Sequence, residues 1–210
     1  GIPEKHVEVV RLGVDTDTFQ PNSLARADFR RAQGIDSETP VLLHVSTDYE
    51  RKGLRTIIEA LPLLADEFTL VVAGRGREAP FRELAQRVGA RNRMLFLGYQ
   101  EPLKDIYAAA DLFLFPTRLD FFGYPVVEAM ACGVPPIVAA AAGVAELVAD
   151  GRNGFALADP EDPAELADRI RAAMDAHQAL SREARATAER NSVVRMVQET
   201  RRVYESLLGR

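Results

Sequence analysis

Short apolar runs alternate with amphipathic stretches along most of the chain, and this alternation predicts a sheet covered by helices. The most apolar runs are VLLHVS (41–46), FTLVVAG (68–74), RMLFLG (93–98), LFLFP (112–116), PIVAAA (136–141) and GFAL (154–157). Almost every position in them is apolar, which is typical of strands buried on both faces of a parallel sheet. We also predict a strand over residues 7–12, where apolar and polar positions mix.

Segments with helical spacing separate these runs. They cover residues 54–65, 80–89, 103–110, 125–133, 144–150 and 163–177, and the tail at 182–208 is predicted to be helical throughout. Alternating strands and helices predict a doubly wound parallel sheet with right-handed crossovers, which is a Rossmann-like α/β fold. The length of 210 residues fits one such domain.

Three of the predicted strands run into unusual loops, at residues 47–53, 74–78 and 117–124. In open parallel sheets, ligands bind beyond the carboxyl ends of the strands, and these ends share one edge. We therefore expect the three loops to meet at a single ligand site.

Composition narrows the function classes. A net charge of -5, from 26 basic and 31 acidic residues, argues against a nucleic-acid binder, which is usually basic overall. The single cysteine, Cys132, excludes an internal disulfide and a cysteine zinc cluster. The three histidines lack metal-ligand spacing, and His44 is expected to be a core residue because it lies in mid-strand. We therefore expect no metal site, and we expect no cofactor.

No apolar run in the sequence reaches the length of a membrane span, and no signal peptide is visible. A cytoplasmic location is expected on these grounds. The chain begins Gly-Ile-Pro without a methionine, which suggests a piece excised from a longer protein.

The first two loops carry different signals. Arg51 and Lys52 stand just before a helix, where cations and helix amides together suit an anion such as phosphate; a solvated charged loop is the alternative. Gly74 and Gly76 lack the third glycine of a dinucleotide fingerprint, so a tight turn is favoured there.

The third loop lies within LDFFGYPVVE (119–128), where Asp120 and Glu128 flank an aromatic-Gly-Pro segment. Pro125 suits the first turn of a helix. The amides of Tyr124, Val126 and Val127 should then face the site, with Glu128 in the first turn.

These motifs resemble the carboxyl-terminal domain of the retaining glycosyltransferases of family 4, which are two-domain GT-B enzymes. LDFFGYPVVEAMACGVPPIV resembles their Glu-x7-Glu signature, and ERKGL resembles their Lys-Gly diphosphate loop. RLGVDTDTFQP resembles the segment that leads into this domain, and RRVYESLL resembles the final helix that crosses back. The resemblance spans nearly the whole chain. It implies that residues 1–22 form a strand and linker from a missing amino-terminal domain, and that 182–208 form the terminal helical segment.

The resemblance also implies roles for individual residues. Asp120, the first acid of the signature, would sit near the donor sugar as the catalytic residue, and Glu128, the second acid, would bind the ribose hydroxyls. The remaining donor-binding residues would be Arg51, Lys52, Gly123, Tyr124 and Val126 for the diphosphate, and Tyr99 and Leu103 for the base. The sequence departs from the family where Asp120 replaces a glutamate, where Ser46-Thr47-Asp48 replaces Gly-Arg-Leu, and where Tyr124 replaces a leucine.

The implied function is transfer of a hexosyl group from a nucleotide diphosphate sugar, with a UDP-sugar favoured, to an acceptor hydroxyl. The acceptor site, and any membrane contact, would belong to the amino-terminal domain, so we expect the isolated chain to be inactive. Three alternatives stay open: half of a GT-B sugar-nucleotide epimerase, a non-catalytic nucleotide-sugar-binding module, and a nicotinamide-dependent Rossmann domain. The incomplete glycine fingerprint argues against the last of these.

Overall fold

The computed structural model describes residues 7–64, 67–90 and 94–209. All six of the most apolar runs form strands, which confirms the predicted alternation. The strands are β1 (Val41–Ser46), β2 (Thr69–Gly74), β3 (Met94–Gly98), β4 (Leu112–Phe115), β5 (Pro136–Ala139) and β6 (Phe155–Leu157). The helices are α1 (Ser23–Gln33), α2 (Leu54–Ala60), α3 (Ala79–Arg87), α4 (Lys104–Ala109), α5 (Tyr124–Ala131), α6 (Pro163–Asp175), α7 (His177–Arg190) and α8 (Val193–Leu207).

The strands form one parallel sheet in the order β3-β2-β1-β4-β5-β6. The chain builds outward from β1 to β3, returns to the centre at β4 and then builds outward to β6. The strand order therefore reverses between β1 and β4, and such a switch point opens a crevice at the carboxyl edge of the sheet. The fold is the predicted Rossmann-like α/β domain.

Two apolar layers enclose the sheet. Alternate side chains of each strand face opposite sides, so Leu42 packs in one layer and Leu43 in the other. Helices α2, α3 and α6 cover the first layer, and α4, α5 and α7 cover the second. This double covering explains why the strand sequences are apolar almost from end to end.

An ion-pair cluster closes the edge of the sheet opposite the crevice. Asp111, just before β4, lies 2.6 Å from each of two guanidinium groups, those of Arg26 and Arg30 on α1. The same carboxylate accepts a hydrogen bond of 2.7 Å from the amide of Val41. These contacts tie α1 to the starts of β1 and β4, and we assign the cluster a structural role.

The predicted strand over residues 7–12 is not formed. Val7 and Val9 are exposed, and a strand needs a neighbour to accept its backbone hydrogen bonds. Only the following segment finds one, because Val14 pairs with Ser192 as an isolated bridge. Gly13 permits this approach, since a Cβ there would lie 2.5 Å from the Ser192 carbonyl oxygen.

The helical tail is also interrupted. Helix α7 ends at Arg190, and the hydroxyl of Ser192 accepts a hydrogen bond of 3.4 Å from the Arg195 amide. Serine is a favoured N-cap, so a new helix, α8, begins there. The predicted helix at 144–150 is a short 3-10 helix, Gly143–Leu147. No helix in the described ranges is long and apolar enough to cross a membrane.

Candidate functional site

An open cleft of about 650 Å³ lies at the carboxyl edge of the sheet, over the switch point between β1 and β4. All three predicted loops contribute to it. Its lining consists of Val45, Ser46, Thr47, Arg51, Lys52, Gly74, Tyr99, Gln100, Leu103, Phe115, Asp120, Phe121, Phe122, Gly123, Tyr124 and Pro125. Most of the predicted site residues are therefore brought together, while Val126 and Glu128 lie outside the lining.

An ion pair joins the first loop to the third. The ammonium group of Lys52 contacts the carboxylate of Asp120, and it also lies 5.1 Å from the centre of the Phe115 ring. The other oxygen of Asp120 accepts a hydrogen bond of 2.9 Å from the Phe122 amide. The lysine side chain is only 9% exposed and the aspartate 18%, so this pair is largely shielded from water.

Arg51 is more exposed than Lys52, and it also contacts the third loop. Its Nε lies 3.0 Å from a carboxylate oxygen of Asp48, and its terminal nitrogen donates a hydrogen bond of 2.9 Å to the Leu119 carbonyl. Gly53 lets the two loops meet, because a Cβ there would lie 2.0 Å from the Pro116 carbonyl oxygen. Two cations thus stand side by side at the cleft, as the sequence predicts.

Helix α5 begins directly at the cleft. Gly123 precedes it with φ of 91°, a left-handed conformation that favours glycine, and Pro125 lies in the first turn. The expectation that the Val126 amide faces the site is wrong. That amide donates a hydrogen bond of 2.9 Å to the Gly123 carbonyl, and the Val126 side chain is buried.

Glu128 also differs from its predicted placement. Because α5 begins at Tyr124, Glu128 is its fifth residue and lies beyond the first turn. Burial raises the pKa of Glu128, and a hydrogen bond of 2.8 Å from the Tyr107 hydroxyl opposes that rise. Charge at the helix end therefore does not explain this carboxylate, which is held by a tyrosine that sequence reasoning missed.

The predicted base-binding residues lie at the far side of the cleft, around the start of α4. Tyr99 is half-exposed, and the guanidinium of Arg75 lies 4.1 Å from the centre of its ring. The Tyr99 hydroxyl donates to Glu101 at 2.6 Å. Leu103 is partly buried and directly precedes α4. A flat ring and an apolar side chain thus border this part of the cleft.

His44 is buried beneath the cleft, which confirms it as a core residue. Its Nδ1 lies 3.0 Å from the Leu114 carbonyl oxygen and its Nε2 lies 3.1 Å from the Ser46 hydroxyl. Burial lowers the pKa of His44 to about 4, so the ring is neutral at pH 7. A carbonyl only accepts, so Nδ1 carries the hydrogen and Nε2 accepts from Ser46. Ser46 then offers the cleft only lone pairs.

Glycines elsewhere near the cleft serve close packing. A Cβ on Gly74 would lie 1.8 Å from the Ser46 carbonyl oxygen, and one on Gly76 would lie 2.4 Å from the Tyr49 ring. Both glycines are therefore required by packing within the protein, and the tight turn stays a prediction. Gly143 is a further residue of this kind that sequence reasoning missed. Its amide donates a hydrogen bond of 3.0 Å to the Asp120 carbonyl. A Cβ added at Gly143 would lie 1.9 Å from the Phe121 carbonyl oxygen.

Metal-ligating side chains do not cluster in the part of the chain that the structure describes, where no group of three or more His, Cys, Asp or Glu residues could hold an ion. The charged groups at the cleft are instead paired with one another.

Comparison with known proteins identifies the family. The model of the family described as "Glycosyl transferases group 1" matches residues 25–191. The chain belongs to this family. Its Rossmann-like domain is the type found in GT-B glycosyltransferases.

Two curated glycosyltransferases are similar to this chain in sequence. The chain is 37% identical over 173 residues to D-inositol 3-phosphate glycosyltransferase of Xylanimonas cellulosilytica, and the match covers 77% of this chain and 41% of that protein. It is 32% identical over 158 residues to lipopolysaccharide glucosyltransferase WaaG of Escherichia coli, covering 73% and 42%. The chain therefore spans about two fifths of the length of these relatives.

Solved structures agree with the family assignment. HepE of Anabaena, crystallised in complex with UDP, superimposes with a TM-score of 0.88 at 28% identity, over 95% of this chain and 57% of that one. HepE in complex with UDP-glucose gives a TM-score of 0.86 at 28% identity, over the same shares. The structure of WaaG superimposes with a TM-score of 0.80 at 28% identity, over 89% of this chain and 53% of that one.

Proposed function

We propose that this chain is the donor-binding half of a retaining glycosyltransferase of family 4. The complete enzyme would transfer a hexosyl group from a nucleotide diphosphate sugar to an acceptor hydroxyl. One observation carries the proposal: Lys52, Asp120 and the start of α5 meet at the strand switch point, with Arg51 beside them. The UDP and UDP-glucose complexes of HepE favour a uridine nucleotide.

In this proposal the diphosphate lies against the two cations of the first loop and the amides of Gly123 and Tyr124. Lys52 and Arg51 would offset the negative charge that grows on the leaving diphosphate, together with the positive end of α5. Tyr99 and Leu103 would border the base.

Asp120 would face the sugar. In the structure its carboxylate is paired with Lys52. If a bound diphosphate took over the contact with the Lys52 ammonium group, the Asp120 carboxylate would be released to face the sugar. Positive charge grows on the sugar in the transition state, and a nearby carboxylate stabilises it. We propose front-face attack by the acceptor, with the leaving phosphate helping to take the proton, a route that requires no nucleophile from the protein.

The acceptor would bind on a second domain, and closure of the two would orient the reactants and exclude water. We therefore expect this chain alone to bind the donor without transferring sugar.

Calorimetric titration of the chain with UDP, GDP, ADP and their glucose conjugates tests the proposal. We expect saturable binding of one nucleotide class and weaker binding by Glu128→Gln, which keeps the shape of the side chain but removes its charge. Absence of binding by every diphosphate would contradict the proposal. Equal affinities of the wild type and Glu128→Gln would contradict the ribose assignment.

A further inference from the structure

Tyr107 is a fully buried tyrosine whose hydroxyl contacts Glu128, the carboxylate that we assign to the ribose. It lies on α4 and donates a hydrogen bond of 2.8 Å to Oε2 of Glu128 on α5. Its ring packs edge-on against Phe19, with 5.8 Å between ring centres, and lies 5.9 Å from the Phe113 ring. The hydroxyl therefore has little freedom to leave the carboxylate.

The direction of this hydrogen bond is fixed. Burial and the neighbouring Glu128 carboxylate raise the pKa of Tyr107 well above its ordinary value, so the phenol keeps its hydrogen and always donates. A carboxylate can only accept. Oε2 of Glu128 is thus held from the protein interior.

The second oxygen of Glu128 is differently placed. Among the described residues no hydrogen-bond donor reaches Oε1. If Oε1 were also buried, it would be a buried polar atom without a hydrogen bond. Among the described residues, the hydroxyl of Tyr49 is the only such atom. Oε1 is therefore accessible to solvent, and the carboxylate has one anchored oxygen and one available oxygen.

The surroundings of Glu128 hold few other charges. The thiol of Cys132, one turn further along α5, has a pKa raised to about 12 by burial and is neutral. The positive charge of Arg185 on α7 lowers the pKa of that thiol and so opposes the effect of burial. The Arg185 side chain also donates a hydrogen bond of 2.6 Å to the Ala131 carbonyl. Burial favours the protonated form of Glu128, and the Tyr107 hydrogen bond favours the carboxylate.

We propose that Tyr107 is a positioning residue, which holds one oxygen of Glu128 and turns the available oxygen toward the ribose hydroxyls of the nucleotide. This inference rests on the proposed function for the identity of the ligand. The anchoring of Glu128 itself rests on the hydrogen bond and the burial alone.

Tyr107→Phe tests the proposal, because it keeps the ring and removes only the hydroxyl. Carboxyl-carbon NMR of Glu128 should show its titration midpoint move to higher pH, since the donor that favours the charged form is lost. UDP affinity at pH 7 should fall about tenfold, as for a hydrogen bond to a charged group. Affinity for 2′,3′-dideoxy-UDP, which lacks the hydroxyls, should change less than about twofold.

Tyr49→Phe is the matched control. It makes the same chemical change at a buried tyrosine whose hydroxyl has no partner, so neither the Glu128 midpoint nor UDP affinity should change. A second variant, 3-fluorotyrosine at position 107, keeps the hydroxyl and strengthens it as a donor. It should shift the Glu128 midpoint to lower pH, and it tests the proposal even if Tyr107→Phe does not fold.

An unchanged Glu128 midpoint in Tyr107→Phe or in the fluorinated variant would overturn the proposal. Equal losses of affinity for UDP and its dideoxy analogue would also overturn it, because they would indicate general damage to the domain. Failure of the proposed function is separate: it is seen as absence of binding by UDP, GDP and ADP alike, and the NMR midpoint still decides whether Tyr107 controls Glu128.

Discussion

Removing the charge of Asp120 should weaken the folded domain and strengthen its binding of a nucleotide diphosphate. The carboxylate is paired with Lys52, the cation that we assign to the diphosphate. Asp120→Asn keeps the side chain's shape and its oxygen for the Phe122 amide, a contact of 2.9 Å. The substitution therefore mainly removes one negative charge from the ion pair.

The expected loss of stability follows from burial. Exposed ion pairs contribute about 0–1 kcal/mol, and removing one partner of a fully buried pair costs about 3–5 kcal/mol. Lys52 and Asp120 are 9% and 18% exposed, which places them between these limits. We expect the free energy of unfolding to fall by about 1–3 kcal/mol.

The expected gain in affinity follows from charge repulsion. A carboxylate about 8 Å from a bound anionic charge repels it by about 1–2 kcal/mol at an effective dielectric constant of about 20–40. Removal of that repulsion corresponds to about 5- to 30-fold tighter binding of UDP. Turnover in the complete enzyme should fall, because the sugar loses its stabilising carboxylate.

Denaturant unfolding and calorimetric titration with UDP measure both effects. Asp48→Asn is the matched control, since it removes the partner of Arg51 from a pair whose members are each 45% exposed. It should change stability by no more than about 0.5 kcal/mol. The reasoning is refuted if Asp120→Asn binds UDP no more tightly than the wild type, or unfolds with unchanged free energy.

Three further predictions concern the floor and loops of the cleft. Lys52→Ala should weaken UDP binding about 10- to 150-fold in calorimetry and leave uridine binding unchanged, because only the diphosphate contact is lost. Burial holds the pKa of folded His44 at about 4, against about 6.5 for histidine in the unfolded chain, so the unfolded chain takes up the proton first. The free energy of unfolding should therefore fall by about 3 kcal/mol between pH 7 and pH 4, and His44→Gln should remove this part of the slope in urea titrations. Gly143→Ala should push the Phe121 carbonyl away and reduce both stability, by about 1–3 kcal/mol, and UDP affinity; wild-type values for both would contradict the packing argument.

The sheet and the position of the site could be predicted from sequence because both depend on local patterns. Runs such as 41–46 and 112–116 are apolar at nearly every position, which is typical of strands in a parallel sheet covered on both faces. The strand at 7–12 was predicted wrongly because a strand depends on a neighbour that its own sequence does not specify. The pattern of the tail predicts one helix, but Ser192 caps the N-terminus of a second helix within it.

For the site residues, the sequence predicts which of them reach the cleft but not how they pair with one another. Arg51, Lys52 and Asp120 reach the cleft because each lies in a loop that follows a central strand. The pairing of Lys52 with Asp120 joins residues far apart in sequence, and no local pattern encodes it.

The role of Tyr107 was equally hidden from sequence reasoning, since YAAA looks like an ordinary apolar helix face. Only the packing of α4 against α5 brings its hydroxyl to Glu128.

A crystal structure of this chain with UDP tests the central claim most directly. The account predicts the diphosphate at the switch point between β1 and β4, with Lys52 Nζ within hydrogen-bond distance of a phosphate oxygen. The available oxygen of Glu128 should accept from a ribose hydroxyl. A nucleotide bound elsewhere on the domain, or one bound in the cleft while Lys52 stays paired with Asp120 and away from the phosphates, would contradict the account.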